Sequence, residues 1–130
     1  MTQEEKNLLL KDLCTRLPYG VRYRHVTWDD EYGETYIAAQ IYSINTDGYV
    51  KNCHDDETVY IDNVRPYLFP LSSMTEEQKK EYQYITERWM NDPVYSISDS
   101  IDWLNKNHFD YRSLIEKGLA IDATGLNIYC

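Results

Sequence analysis

A chain of 130 residues fits one domain, 1–130, and is long enough to bury a core without covalent staples. Its 42% hydrophobic content argues against wholesale disorder. A balance of 22 Asp and Glu against 13 Lys and Arg gives a net charge of −9, which repels nucleic-acid phosphates and anionic lipid; its simplest use is solubility, and any partner it favours is a basic protein.

The predicted elements begin with a helix. Thr2 and Glu5 have capping-box spacing, and Leu9, Leu10, Leu13, Cys14 and Leu17 make an apolar stripe that places Cys14 in the core. Pro18 and Gly20 end this helix. A strand is expected over 21–28, where Arg22 and Arg24 alternate with Val21, Tyr23 and His25. An acidic turn over 29–34 leads to a longer strand, 35–44, apolar on both faces. Asn45-Thr46-Asp47-Gly48 is a hairpin signal, followed by strands over 49–53 and 58–62 around the polar tip 54–57. Three short connections in succession imply an antiparallel meander, able to curl into a small open barrel. Pro66 and Pro70 exclude helix from 63–73, which is too apolar for a free linker and is expected to pack along the sheet. Three helices follow. The first is capped by Thr75 with Gln78, carries Tyr82, Ile85 and Trp89 on one face, and ends before Pro93. The second is capped by Ser98, with Ile101, Leu104 and His108 on one side. The third is capped by Asp110 and closed by Gly118. The fold class is therefore α+β: an N-terminal helix, a four-stranded antiparallel sheet, then three helices. The stretch 119–130 fits no single element.

Three constellations bear on chemistry. Cys53-His54-Asp55-Asp56 offers metal-type ligands, but neighbours in extended chain point opposite ways and cannot share one ion. A site there would need a ligand from elsewhere, and His25 is the one obvious source. The simpler reading is a solvated hairpin tip, so no metal and no other cofactor is expected. His108-Phe109-Asp110-Tyr111-Arg112 could hold a general base, His108, oriented by Asp110, as in a small hydrolase. The simpler reading makes Asp110 a cap and leaves no catalytic residue. The acidic turns hold Asp29, Asp30, Glu31 and Glu34, and Asp55, Asp56 and Glu57. A meander sends both turns to one end of the sheet, where they could receive a basic protein partner. Thirteen tyrosines, against two Phe and three Trp, suit interaction surfaces or a Tyr- and Trp-lined pocket for a small molecule.

The N-terminal Met1-Thr2-Gln3-Glu4-Glu5-Lys6 lacks the basic start of a signal peptide, and no apolar run reaches the roughly 18 residues of a membrane span. Three scattered cysteines, Cys14, Cys53 and Cys130, are too few and too odd for a disulfide framework, so free thiols in a cytoplasmic setting are expected.

Three stretches resemble a family of small uncharacterised proteins from gut Bacteroides-type bacteria and their phages. They are Leu8-Leu9-Leu10-Lys11-Asp12-Leu13-Cys14 through Leu17-Pro18-Tyr19-Gly20-Val21, Arg65-Pro66-Tyr67-Leu68 through Ser72-Ser73-Met74-Thr75, and His108-Phe109-Asp110-Tyr111-Arg112 through Leu114-Ile115-Glu116-Lys117-Gly118-Leu119-Ala120. The resemblance covers under half of the chain. It implies the cytoplasm of a bacterial or phage-infected cell and brings no catalytic residue. The expected function is a non-enzymatic interaction module, such as a phage or mobile-element accessory that binds a host protein. The alternatives are the small hydrolase and the small-molecule binder.

Overall fold

The computed structural model describes residues 1–88 and 93–129. Helix α1, Gln3–Arg16, starts at the expected capping box: the Thr2 hydroxyl accepts the Glu5 N–H and the Glu5 carboxylate accepts the Thr2 N–H. A 3₁₀ turn, Leu17–Tyr19, and Gly20 at φ 72° end it. The buried face is rotated from the predicted one. It carries Leu9, Asp12, Leu13 and Arg16, whereas Cys14 is exposed. Asp12 and Arg16 turn inward because partners far along the chain complete them. Arg16 Nε and Nη2 donate to Asp12 at 2.7 and 3.2 Å, and Nη2 also donates to the Phe109 carbonyl at 2.6 Å. Arg112 Nε donates to Asp12 Oδ1 at 3.2 Å.

The four predicted strands pair as an antiparallel meander: β1 Arg22–Asp29, β2 Gly33–Ile44, β3 Tyr49–Asn52 and β4 Thr58–Tyr60. The 45–48 turn forms as expected, with Asn45 Oδ1 accepting the N–H groups of Asp47 and Tyr49, and Gly48 at φ 89°. A register shift between Ile41 and Ser43 leaves Tyr42 as an extra residue in β2. Such a bulge bends its strand and increases the local twist, which suits the curled half-barrel form of this sheet. The inner face contributes Tyr23, Ala39, Ile41 and Val50 to a core completed by Leu9 and Leu13 of α1 and by Ile61, Val64 and Leu68.

The segment after β4 packs along the sheet, as its prolines and apolar residues imply. It also builds a second sheet, in which β5 Tyr67–Pro70 lies between two short parallel neighbours, β6 Phe109–Asp110 and β7 Ile121–Asp122. An isolated bridge between Tyr23 and Pro66 joins the two sheets. Tyr129 clasps them. Its hydroxyl accepts the Arg22 N–H and donates to the Tyr67 carbonyl, both at 2.8 Å, and its ring stacks on His108 with centroids 3.6 Å apart.

Among the described residues two α-helices follow the meander, where three are predicted. Helix α2, Glu76–Arg88, has the Thr75–Gln78 capping box, and Tyr82 and Ile85 pack against Trp103, Leu104 and Phe109. Trp89, assigned to the same face, lies outside the described residues. Helix α3, Pro93–Lys106, begins five residues before Ser98 and ends before His108. Proline is compatible with a first helical turn, whose N–H groups lack intrahelical partners anyway. The third predicted helix, capped by Asp110, does not form. Asp110 sits in β6, and its carboxylate accepts the N–H groups of Arg112, Leu114 and Ile115 at 3.0–3.3 Å. Cap chemistry is present, but Ser113 at φ 59° breaks helical geometry and leaves a series of turns closed by Gly118 at φ 74°. No helix among the described residues is long and apolar enough to cross a membrane.

Candidate functional site

Backbone pairing along β1 creates the site. Val21 accepts a hydrogen bond from Ile41 N–H, so odd-numbered residues of β1 bond toward β2 and even-numbered ones direct their backbone groups to the outer edge. Arg24 N–H uses that edge to reach the Arg65 carbonyl at 3.1 Å. Beyond Arg24, at Val26 and Trp28, no strand covers the edge among the described residues, because β1 ends the sheet order. Side chains alternate with the same period, perpendicular to the sheet. Arg24, Val26 and Trp28 share the outer face with Tyr36 and Tyr42, whereas Tyr23 and His25 point inward. Trp28 is 76% exposed, and the Arg24 guanidinium lies 4.9 Å from the Tyr36 ring centre.

A cleft of about 480 Å³ runs beside this edge and is lined by Tyr23, His25, Tyr36, Glu57, Asp62 and Arg65. Behind it lies a continuous polar chain. Asn52 Oδ1 accepts the N–H groups of His54 and Asp55, so its Nδ2 is the donor to Tyr23 Oη at 2.9 Å. Tyr23 Oη and His25 Nδ1 share a hydrogen bond at 3.0 Å, and His25 Nε2–H donates to Asp55 Oδ2 at 2.9 Å. Glu57 stands 3.6 Å from the same nitrogen. The hydrogen bond from His25, aided by the Glu57 N–H, holds the Asp55 carboxyl down at about 2, and burial pushes the Tyr23 phenol up. Asn52 thus anchors both the ring behind His25 and the turn in front of it.

The structure divides the predicted acidic residues into two groups. Asp29, Asp30, Glu31 and Glu34 occupy the tip of the β1–β2 hairpin, where Asp29 Oδ1 accepts the N–H groups of Glu31 and Tyr32. The β3–β4 turn leaves the sheet on the same side, but it departs beside Gln40, whose carbonyl accepts the Cys53 N–H. That is about 23 Å of strand from Gly33, at roughly 3.3 Å for each intervening residue. Asp55 and Glu57 therefore face His25, and Asp56 accepts a hydrogen bond from Tyr42 Oη. Cys53 and His54 do not join this cluster, and Cys53 is an exposed free thiol.

His108 and Asp110 lie elsewhere, beside β5. No hydrogen bond joins them: both Asp110 oxygens accept backbone N–H groups, and His108 Nδ1 is buried without a partner. Burial, reinforced by the charges of Arg16 and Arg22, pulls the His108 imidazole down to about 4.

Tyr23, Asn52 and Arg65 are site residues that the sequence reading did not single out. Strand alternation already places Tyr23 and His25 on one face; nothing local points to Asn52 or Arg65. Comparison with protein-family models, curated proteins and solved structures finds no match.

Proposed function

We propose that the protein is a non-enzymatic interaction module that receives an extended, basic segment of a partner protein along the outer edge of β1. The observation that carries this reading is the uncovered strand edge at Val26 and Trp28, bordered by a cleft and ending at the acidic hairpin tip. Free backbone donors and acceptors on a strand edge are a template for adding another strand. Val26, Trp28 and Tyr36 offer apolar contact beside it, and Asp29, Asp30, Glu31 and Glu34 attract positive charge to its end. Binding of a host protein by a phage or mobile-element accessory, the setting implied by the resemblance, is part of this proposal.

The test is selection from a displayed library of extended Lys- and Arg-containing peptides, followed by affinity measurement on Val26→Pro. Proline at 26 removes an outward N–H and spares the bonds to β2. Selected peptides are expected to bind Val26→Pro at least tenfold more weakly, and to weaken with added salt. Failure to enrich any peptide, or equal affinity for the variant, refutes the reading. A cleft of this size also suits a small molecule. Ligands that bind Val26→Pro normally but lose affinity in Tyr36→Ala would mark that use instead.

A further inference from the structure

The polar chain ending at His25 places three ligand atoms of metal-binding type together: one His25 ring nitrogen, one Asp55 oxygen and one Glu57 oxygen, all within 4.8 Å of one another. We propose that His25, Asp55 and Glu57 bind one divalent first-row transition ion, with its remaining coordination positions open to the cleft. The proposal stands without the strand-edge reading.

The spacing fits. Bonds of about 2.1 Å put neighbouring ligand atoms about 3.0 Å apart in octahedral geometry and about 3.4 Å apart in tetrahedral geometry. The His25 nitrogen lies 2.9 Å from Asp55 and 3.6 Å from Glu57, and the two carboxylate oxygens, within 4.8 Å of each other, can close on an ion by rotation of the exposed Glu57 side chain. The outer shell is already built. His25 is 3% exposed, and its other ring nitrogen meets Tyr23 Oη, which Asn52 holds. When the ion takes Nε2, the ring hydrogen moves to Nδ1 and is received by the Tyr23 oxygen. Such hydrogen bonds fix the orientation of a ligating imidazole. Asn52 also holds the backbone of the turn that carries Asp55. The route is open, since His25 and Glu57 both line the cleft. One imidazole with two carboxylates suits zinc or manganese more than calcium, which takes oxygen ligands only, or copper(I), which takes sulfur.

The experiment titrates ZnCl₂ into chelator-treated protein by calorimetry and follows the imidazole nitrogens by ¹⁵N NMR. One equivalent is expected to bind, moving the His25 Nε2 resonance and leaving those of His54 and His108 in place. Glu57→Gln removes a ligand whose side chain is 61% exposed, so folding is not at stake, and is expected to weaken zinc at least tenfold. Tyr23→Phe tests the outer shell and is expected to weaken zinc by about tenfold. Asp29→Asn, at the hairpin tip, is expected to leave the affinity unchanged. Absence of binding at millimolar zinc, an unchanged affinity in Glu57→Gln, or a response at His54 instead of His25 overturns the proposal.

Discussion

Removing the Asp12 carboxylate should be among the most damaging single changes in this molecule. Asp12 and Arg16 are both fully buried. Asp12 accepts two hydrogen bonds from Arg16 and one from Arg112. In Asp12→Ala the Arg16 guanidinium stays inside with the Phe109 carbonyl as its one remaining hydrogen-bond acceptor, since Nη1 already lacks one, and with the Tyr111 ring, whose centre is 5.2 Å away, as its other contact. Stripping one partner from a buried ion pair costs about 3–5 kcal/mol. The double variant Asp12→Leu/Arg16→Met removes both charges together. It leaves one carbonyl without a donor, about 1–3 kcal/mol, and frees Arg112, whose side chain already reaches solvent. The double variant is therefore expected to be more stable than Asp12→Ala. Urea unfolding, followed by far-UV circular dichroism and by fluorescence, reads this directly. With a slope of about 2 kcal/mol per molar, Asp12→Ala should lower the midpoint by roughly 2 M, and the double variant by roughly 1 M. A loss below about 1 kcal/mol in Asp12→Ala, or a double variant less stable than it, would refute the argument that an uncompensated buried charge dominates.

Asp110→Ala leaves three N–H groups of the 112–115 turns without their acceptor and should cost about 3 kcal/mol, more than the loss of an ordinary helix cap; Asp110→Asn, which keeps an acceptor oxygen, should recover part of it in the same urea assay. A loss in Asp110→Ala below about 1 kcal/mol would mean that other contacts hold these turns. The lowered value at His108 makes a pH prediction. An unfolded chain takes up this proton near 6.5, but the folded chain does so only near 4, so stability falls as pH drops between those values, and below them this group contributes no further slope. His108→Asn, tolerant of φ 61°, should flatten the change in urea midpoint between pH 7 and pH 5; an unaltered slope would place its origin elsewhere.

Local hydrogen-bond grammar was readable from the residues alone. Thr2 with Glu5, Thr75 with Gln78 and the Asn45–Gly48 turn each declare themselves within five residues, and the meander follows from strand alternation and short turns. Long-range pairing was not. Asp12 and Arg16 look like solvent-facing helix residues until the Phe109 carbonyl and Arg112, about a hundred positions later, complete them, and Cys14 then rotates outward. The second sheet escaped because its strands are two to four residues long and too short to show a period. Asp110 and Gly118 carry helix-end chemistry that here serves turns, because the left-handed Ser113 between them has no sequence signal. At the site, alternation put Tyr23 and His25 on one face, but the meeting of Asp55 and Glu57 with His25 depends on where a four-residue β3 leaves β2.

The clasp made by Tyr129 sets an order of events during synthesis. A nascent chain that has cleared the ribosome through residue 88 holds α1 and all four strands of the meander. It still lacks β6 and β7, so β5 has no neighbour on either side, and Arg16 has not met the Phe109 carbonyl. The first sheet can form early from short-range pairings, whereas the second must wait until Phe109–Asp110, then Ile121–Asp122 and Tyr129, have emerged. Until then β5 is the segment most open to mispairing, and a ribosome-stalled chain ending before residue 109 should be cut by protease within 67–70 while its β1–β2 hairpin survives.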